Sequence, residues 1–116
     1  MTVRECYEQM NSDYEGVLER LGSEAMVKKF ALRFLDDASF NNLTDALKEN
    51  NAEEAFRAVH TLKGICLNLG FDRLYEASSA LTEKLRNGDI DNTEDLYNKL
   101  KEQYGVTVDA IKGIQD

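Results

Sequence analysis

The sequence predicts an all-α protein, and three observations carry that reading. No proline occurs among the 116 residues, so nothing along the chain forbids a helix interior. Apolar residues recur at spacings of three and four rather than two, the period of an amphipathic helix. The segments between the apolar stripes are short, as between antiparallel neighbours in a helix bundle.

The elements follow in order. A first helix is expected over residues 2–21, with Val3, Cys6, Tyr7, Met10, Tyr14, Val17, Leu18 and Leu21 on one stripe and Gly22 ending it. Ser23 is a natural cap for a second, in which Met26, Val27, Phe30, Ala31, Phe34 and Leu35 face inward. A third, shorter helix starts near Ser39 and uses Phe40, Leu43, Ala46 and Leu47. Asn51 opens the fourth, with Glu54 three residues on, as in a capping box. Its apolar set is Ala52, Ala55, Phe56, Val59, Leu62, Cys66 and Leu69, and Gly70 is its left-handed cap. The fifth runs from a cap at Asp72 through Leu74, Ala77, Ser78, Leu81 and Leu85 to Gly88. The sixth runs from about Thr93 through Leu96, Tyr97, Leu100, Tyr104, Val108 and Ile111. Tyr7, Tyr14, Tyr97 and Tyr104 read as edges of the core.

Composition narrows the function classes. The size suits one domain over residues 1–116, and 42% hydrophobic with 31% charged residues suits a folded, soluble chain. Fourteen Lys and Arg against 22 Asp and Glu leave a net charge of -8, which repels a nucleic-acid backbone. No apolar run has the length of a membrane span, and the opening residues lack the apolar core of a signal peptide, so a cytoplasmic location is expected. Cys6 and Cys66 read as small buried apolar residues rather than a disulfide. With one histidine and no Cys-x-x-Cys, a structural zinc site and any other metal site are disfavoured.

The chemistry concentrates around that histidine. On the fourth helix the apolar stripe centres near Val59, which puts His60 at its edge, with an imidazole expected to be partly exposed. Lys63 and Gly64 lie one turn along on the same side, and Leu67 and Asn68 a turn further. Gly64 costs its helix about 1 kcal/mol relative to alanine; a missing side chain there lets another molecule approach the ring. Lys63, with Arg57 on the turn before, would make a small cationic spot on an acidic protein. Neutral imidazole is a good nucleophile near pH 7 and forms a labile bond to phosphorus. Neither a nucleotide-binding glycine loop nor a second histidine is present, so the donor of a phosphoryl group must come from elsewhere.

The run His60-Thr61-Leu62-Lys63-Gly64-Ile65-Cys66-Leu67-Asn68-Leu69-Gly70 resembles the signature of histidine-containing phosphotransfer (HPt) domains: His-x-Leu-Lys-Gly, two usually small residues, three more, then Gly. Similarity continues through Leu74, Ala77, Leu81, Glu83 and the turn Arg86-Asn87-Gly88-Asp89. The resemblance implies an antiparallel four-helix bundle of up-down topology with additional N-terminal helices, led by the hairpin of the fourth and fifth. It also implies a phosphorelay intermediate of two-component signal transduction, in which His60 takes a phosphoryl group from a receiver aspartate of a response regulator and passes it to another. By the same resemblance Lys63 supplies charge beside the phosphate and Gly64 clears the way for the docking receiver. Receivers, including those of a hybrid histidine kinase, are the implied partners. The chain would be a carrier rather than an enzyme and needs no cofactor of its own, Mg²⁺ belonging to the partner receiver. A monomer is expected. Ile65 and Cys66 depart from the Ser or Ala usual at those positions. Against the carrier stand two other classes: an interaction module that never accepts phosphate, and a metal-binding bundle enzyme, which would need Glu-x-x-His pairs that this chain lacks.

Overall fold

The computed structural model describes residues 1–114, and among them there are seven α-helices and no strand. They are α1 (Val3–Gln9), α2 (Tyr14–Leu21), α3 (Glu24–Arg33), α4 (Ser39–Lys48), α5 (Ala52–Leu69), α6 (Asp72–Leu85) and α7 (Glu94–Lys112). A single 3₁₀ turn, Phe34–Asp36, follows α3.

Helices α4 to α7 form an antiparallel up-down bundle. The α5–α6 hairpin is its most extensive pairing, α4 flanks α5, and α6 passes on to α7. Aromatic stacking closes the fourth side, where Phe40 of α4 lies against Tyr104 at 4.1 Å and Tyr97 at 5.9 Å of α7. Thr44 and Tyr97 share a hydrogen bond of 2.7 Å over the same seam. From there a chain of ring contacts runs through Phe34 and Phe71 to Tyr7 and Tyr14. It ties α1 and α2 to the bundle.

Helices α1, α2, α3 and α5 start at side-chain caps, while α4, α6 and α7 have none. Ser23 accepts from the Met26 N–H and Asn51 from the Glu54 N–H, each filling an orphan donor of the first turn. Only half of the capping box is made at Asn51, because the Glu54 carboxylate turns to Arg57 instead. Gly70 ends α5 at φ 70°, and a Cβ there would collide with Val17. Tyr7 donates to the Leu69 carbonyl at 2.6 Å, and Arg20 to those of Leu67 and Asn68, so α1 and α2 satisfy the last carbonyls of α5.

The expected first helix over 2–21 is in fact two. Asn11 adopts φ 57°, and Asp13 caps a new start by accepting from the Gly16 N–H. The four-residue step from Met10 to Tyr14 keeps both buried, so the apolar pattern runs across the break. Asp72 is the first residue of α6 rather than its cap. Its carboxylate accepts from the Asp13 N–H, and Ser12 accepts from the Asp72 N–H, which locks the break in α1–α2 to the start of α6. Phe34 is buried and Leu35 half-buried, as expected, but within the 3₁₀ turn. Met26, expected to face inward, is exposed.

Candidate functional site

Helix α5 places His60 where the sequence predicts it, at the edge of a fully closed stripe. Ala55, Val59, Leu62 and Cys66 have no exposed surface, while His60 one step beyond Val59 is exposed and makes no hydrogen bond among the described residues. Its ring nitrogens are therefore available to solvent and to a visiting electrophile. The ring leans on Phe56 one turn back, with centroids 5.6 Å apart and planes at 35°. That contact restrains the imidazole on one side without covering it.

Lys63 is half-buried one turn on, and Gly64 beside it is exposed. A Cβ built at Gly64 meets nothing within 4 Å. Internal packing therefore gives no reason for glycine there, and the bare backbone serves the outside face of the helix. Leu67, a turn beyond, is 57% exposed, the most exposed large apolar side chain among the described residues. Ile65 is half-buried on the other flank of α5 and lines an open groove with Leu21, Phe30 and Arg33. Cys66 sits inside the core, as expected for a small apolar residue. Burial pushes its thiol upward and that of Cys6 up to about 11, so neither is a thiolate near neutrality.

The electrostatics differ from the expectation at one position. Arg57 adds little to the cationic spot, because Glu54 at 2.7 Å and Glu53 at 3.4 Å hold its guanidinium back along its own helix. The second cation comes instead from α6. Arg86 lies over the Phe56 ring, 5.5 Å from its centroid, on the ring that also supports His60. Glu83 takes two hydrogen bonds from that guanidinium, at 2.8 and 3.1 Å. The Arg86 hydrogen bond holds the Glu83 carboxyl below the usual carboxylate range, opposed by slight desolvation, with the charges of Arg86 and Lys63 adding to it. Lys63, Glu83, Arg86 and Phe56 thus form one polar and aromatic patch across the α5–α6 seam, with His60 at its border.

Phe56 reads as a core residue from periodicity, yet it is half-buried and touches both the His60 ring and the Arg86 guanidinium. Arg86 and Glu83 carry no signal of their own in the sequence beyond their (i, i+3) spacing. Their meaning depends on the register between α5 and α6. Among the described residues no three His, Cys, Asp or Glu side chains gather where they could hold a metal ion. No described helix is long and apolar enough to cross a membrane.

What the arrangement can do is limited by what it has. It offers a reachable nucleophile, one cation on its own helix, a second on the neighbour, and a cleared approach, but no base to activate a substrate. A model of the Hpt domain family matches residues 33–110, which takes in the 3₁₀ turn, α4, α5, α6 and nearly all of α7. The match is wider than the stretch from His60 to Asp89 that carries the resemblance in sequence. No solved structure matches the chain.

Proposed function

The chain belongs to the Hpt domain family, the histidine phosphotransfer domains of phosphorelay signalling, and from that premise we propose that His60 is its phosphoacceptor, serving as an intermediate between receiver aspartates. Hpt domains are phosphoryl carriers that work with receiver domains, not enzymes in the usual sense. In the proposed step a lone pair on an exposed ring nitrogen of neutral His60 attacks the phosphorus of a receiver's aspartyl phosphate. The N–P bond forms as the acyl P–O bond breaks, and the aspartate leaves as carboxylate. The reverse step, onto a second receiver, discharges the chain. Phe56 limits the tilt of the ring, Lys63 and Arg86 supply positive charge for the three phosphoryl oxygens, and bare Gly64 with exposed Leu67 admits the receiver's surface. Mg²⁺ belongs to the receiver in this reading, the carrier acts as a monomer, and the relay runs in the cytoplasm.

The observation that carries the reading is the exposed, unbonded imidazole of His60 beside a glycine whose missing side chain no internal contact requires. Incubation with a ³²P-labelled receiver tests it. Label should move to the chain as an acid-labile, base-stable adduct, and His60→Gln should abolish the transfer while binding of the receiver survives. Binding without any transfer to the unaltered chain would make it an interaction module instead.

A further inference from the structure

Of the two cations in this patch, Arg86 is held by a carboxylate and, among the described residues, Lys63 is not. One Glu83 oxygen, Oε2, accepts from both Nε and Nη2 of Arg86 at 3.1 and 2.8 Å, and the guanidinium so paired lies over Phe56. Lys63 makes no direct ion pair among the described residues, yet its charge is felt at Glu83 across the helix seam. Glu53 and Glu54 pair with Arg57, and Asp89 pairs with Lys84. Glu83 is the acid that pairs with Arg86 among the described residues, and it is exposed enough to let go.

Resting on the reading of His60 as phosphoacceptor, we propose that Glu83 is a positioning residue that holds Arg86 at the α5–α6 seam while His60 is empty and yields it when the phosphoryl group arrives. A phosphoryl group carries about -1.5 to -2 charge and three acceptor oxygens, against one charge on a carboxylate. It therefore competes successfully for Arg86. Once displaced, Glu83 remains beside the phosphohistidine as a like charge. That repulsion keeps the carrier from binding its cargo so firmly that the onward step slows, since grip on the ground state does not speed transfer. The two cations draw the group on, and the carboxylate keeps the hold loose.

The whole chain can be charged without any partner using potassium phosphoramidate. The P–N bond of the donor breaks, ammonia leaves, and the N–P bond forms on the ring. Titration of the ³¹P resonance then reads the phosphoryl group's second pKa. In the unaltered chain the Glu83 charge holds that pKa up. Glu83→Gln should lower it by about 0.4 unit, the effect of one charge at a helix–helix spacing of roughly 8 Å in near-aqueous surroundings. Glu83→Asp, which keeps the charge, should restore at least half of the difference, and melting curves of all three should coincide. Phosphohistidine that forms normally with the same phosphoryl pKa in the Gln variant would overturn the Glu83 proposal alone. Failure of the unaltered chain to take phosphate on His60 would overturn the underlying reading, and this proposal with it.

Discussion

Two faces of one helix divide the work of this protein. On the inner face of α5, Ala55, Val59, Leu62 and Cys66 are sealed without exposed surface, packed against α4, α6 and the N-terminal helices. A step round the same helix, His60, Gly64 and Leu67 stand open, and among the described residues the only ring that touches His60 is half-buried Phe56. The inner face has no polar chemistry to offer, and the outer face has almost no packing to lose. A residue's setting on α5 is thus fixed by its angular position, so under the proposed function stability and phosphoryl transfer should be separable by mutation.

The largest expected effect lies on the inner face. Leu62→Ala deletes buried volume with no room to collapse and should cost about 2–5 kcal/mol, read by thermal or denaturant unfolding. Whatever fraction stays folded should still accept phosphate. Next, on the outer face, Lys63→Ala should slow transfer from a receiver about tenfold while leaving the melting temperature within a degree or two. A large loss of stability there would break the comparison.

Alkaline pH tests the buried side through its thiols. Burial raises the Cys6 thiol from 9.0 to about 11 and pushes Cys66 and the Tyr7 phenol up as well. Below pH 9 the thiols are protonated in folded and unfolded chains alike, so their contribution is fully present. As pH rises from 9 toward 11 the unfolded chain ionises first, and stability falls. Melting temperatures measured across that range should decline, with a shallower slope in Cys6→Ala.

The smallest effect sharpens the contrast in the opposite direction. Gly64→Ala should stabilise α5 by up to about 1 kcal/mol, because its Cβ meets nothing and the helix gains propensity. The same methyl narrows the approach to His60 and should slow transfer by a few fold. A Gly64→Ala chain that is both less stable and equally fast would contradict the division.

How much of this was legible in the sequence depended on whether the cause was local. The cap of α5 at Asn51, its stop at Gly70 and the cap of α3 at Ser23 are local chemistry, and the structure has them where the residues indicate. The open setting of His60 and Gly64 follows from angular position on a single helix, and it too could be read. The break between α1 and α2 could not be read from periodicity, because a step of four from Met10 to Tyr14 preserves the apolar face. The signal was there in Asn11, Ser12 and Asp13, all turn and cap formers, but its decisive support is Asp72, distant in sequence. The capping-box reading assigns Glu54 to the Asn51 N–H and leaves Arg57 available, whereas Glu53 and Glu54 hold Arg57 along the helix. Arg86 and Glu83 reach the site only through the register of α6 against α5, which no single-helix pattern encodes.

The most direct test of the two-faced helix is a heteronuclear NMR comparison of the chain before and after charging with phosphoramidate. The account predicts one new N–P signal on the His60 ring. Shift changes should be confined to Phe56, Lys63, Gly64, Leu67, Glu83 and Arg86, with the methyls of Val59 and Leu62 unmoved. Phosphate on any other residue, or shifts that spread through the Val59 and Leu62 methyls while the outer face stays still, would contradict it.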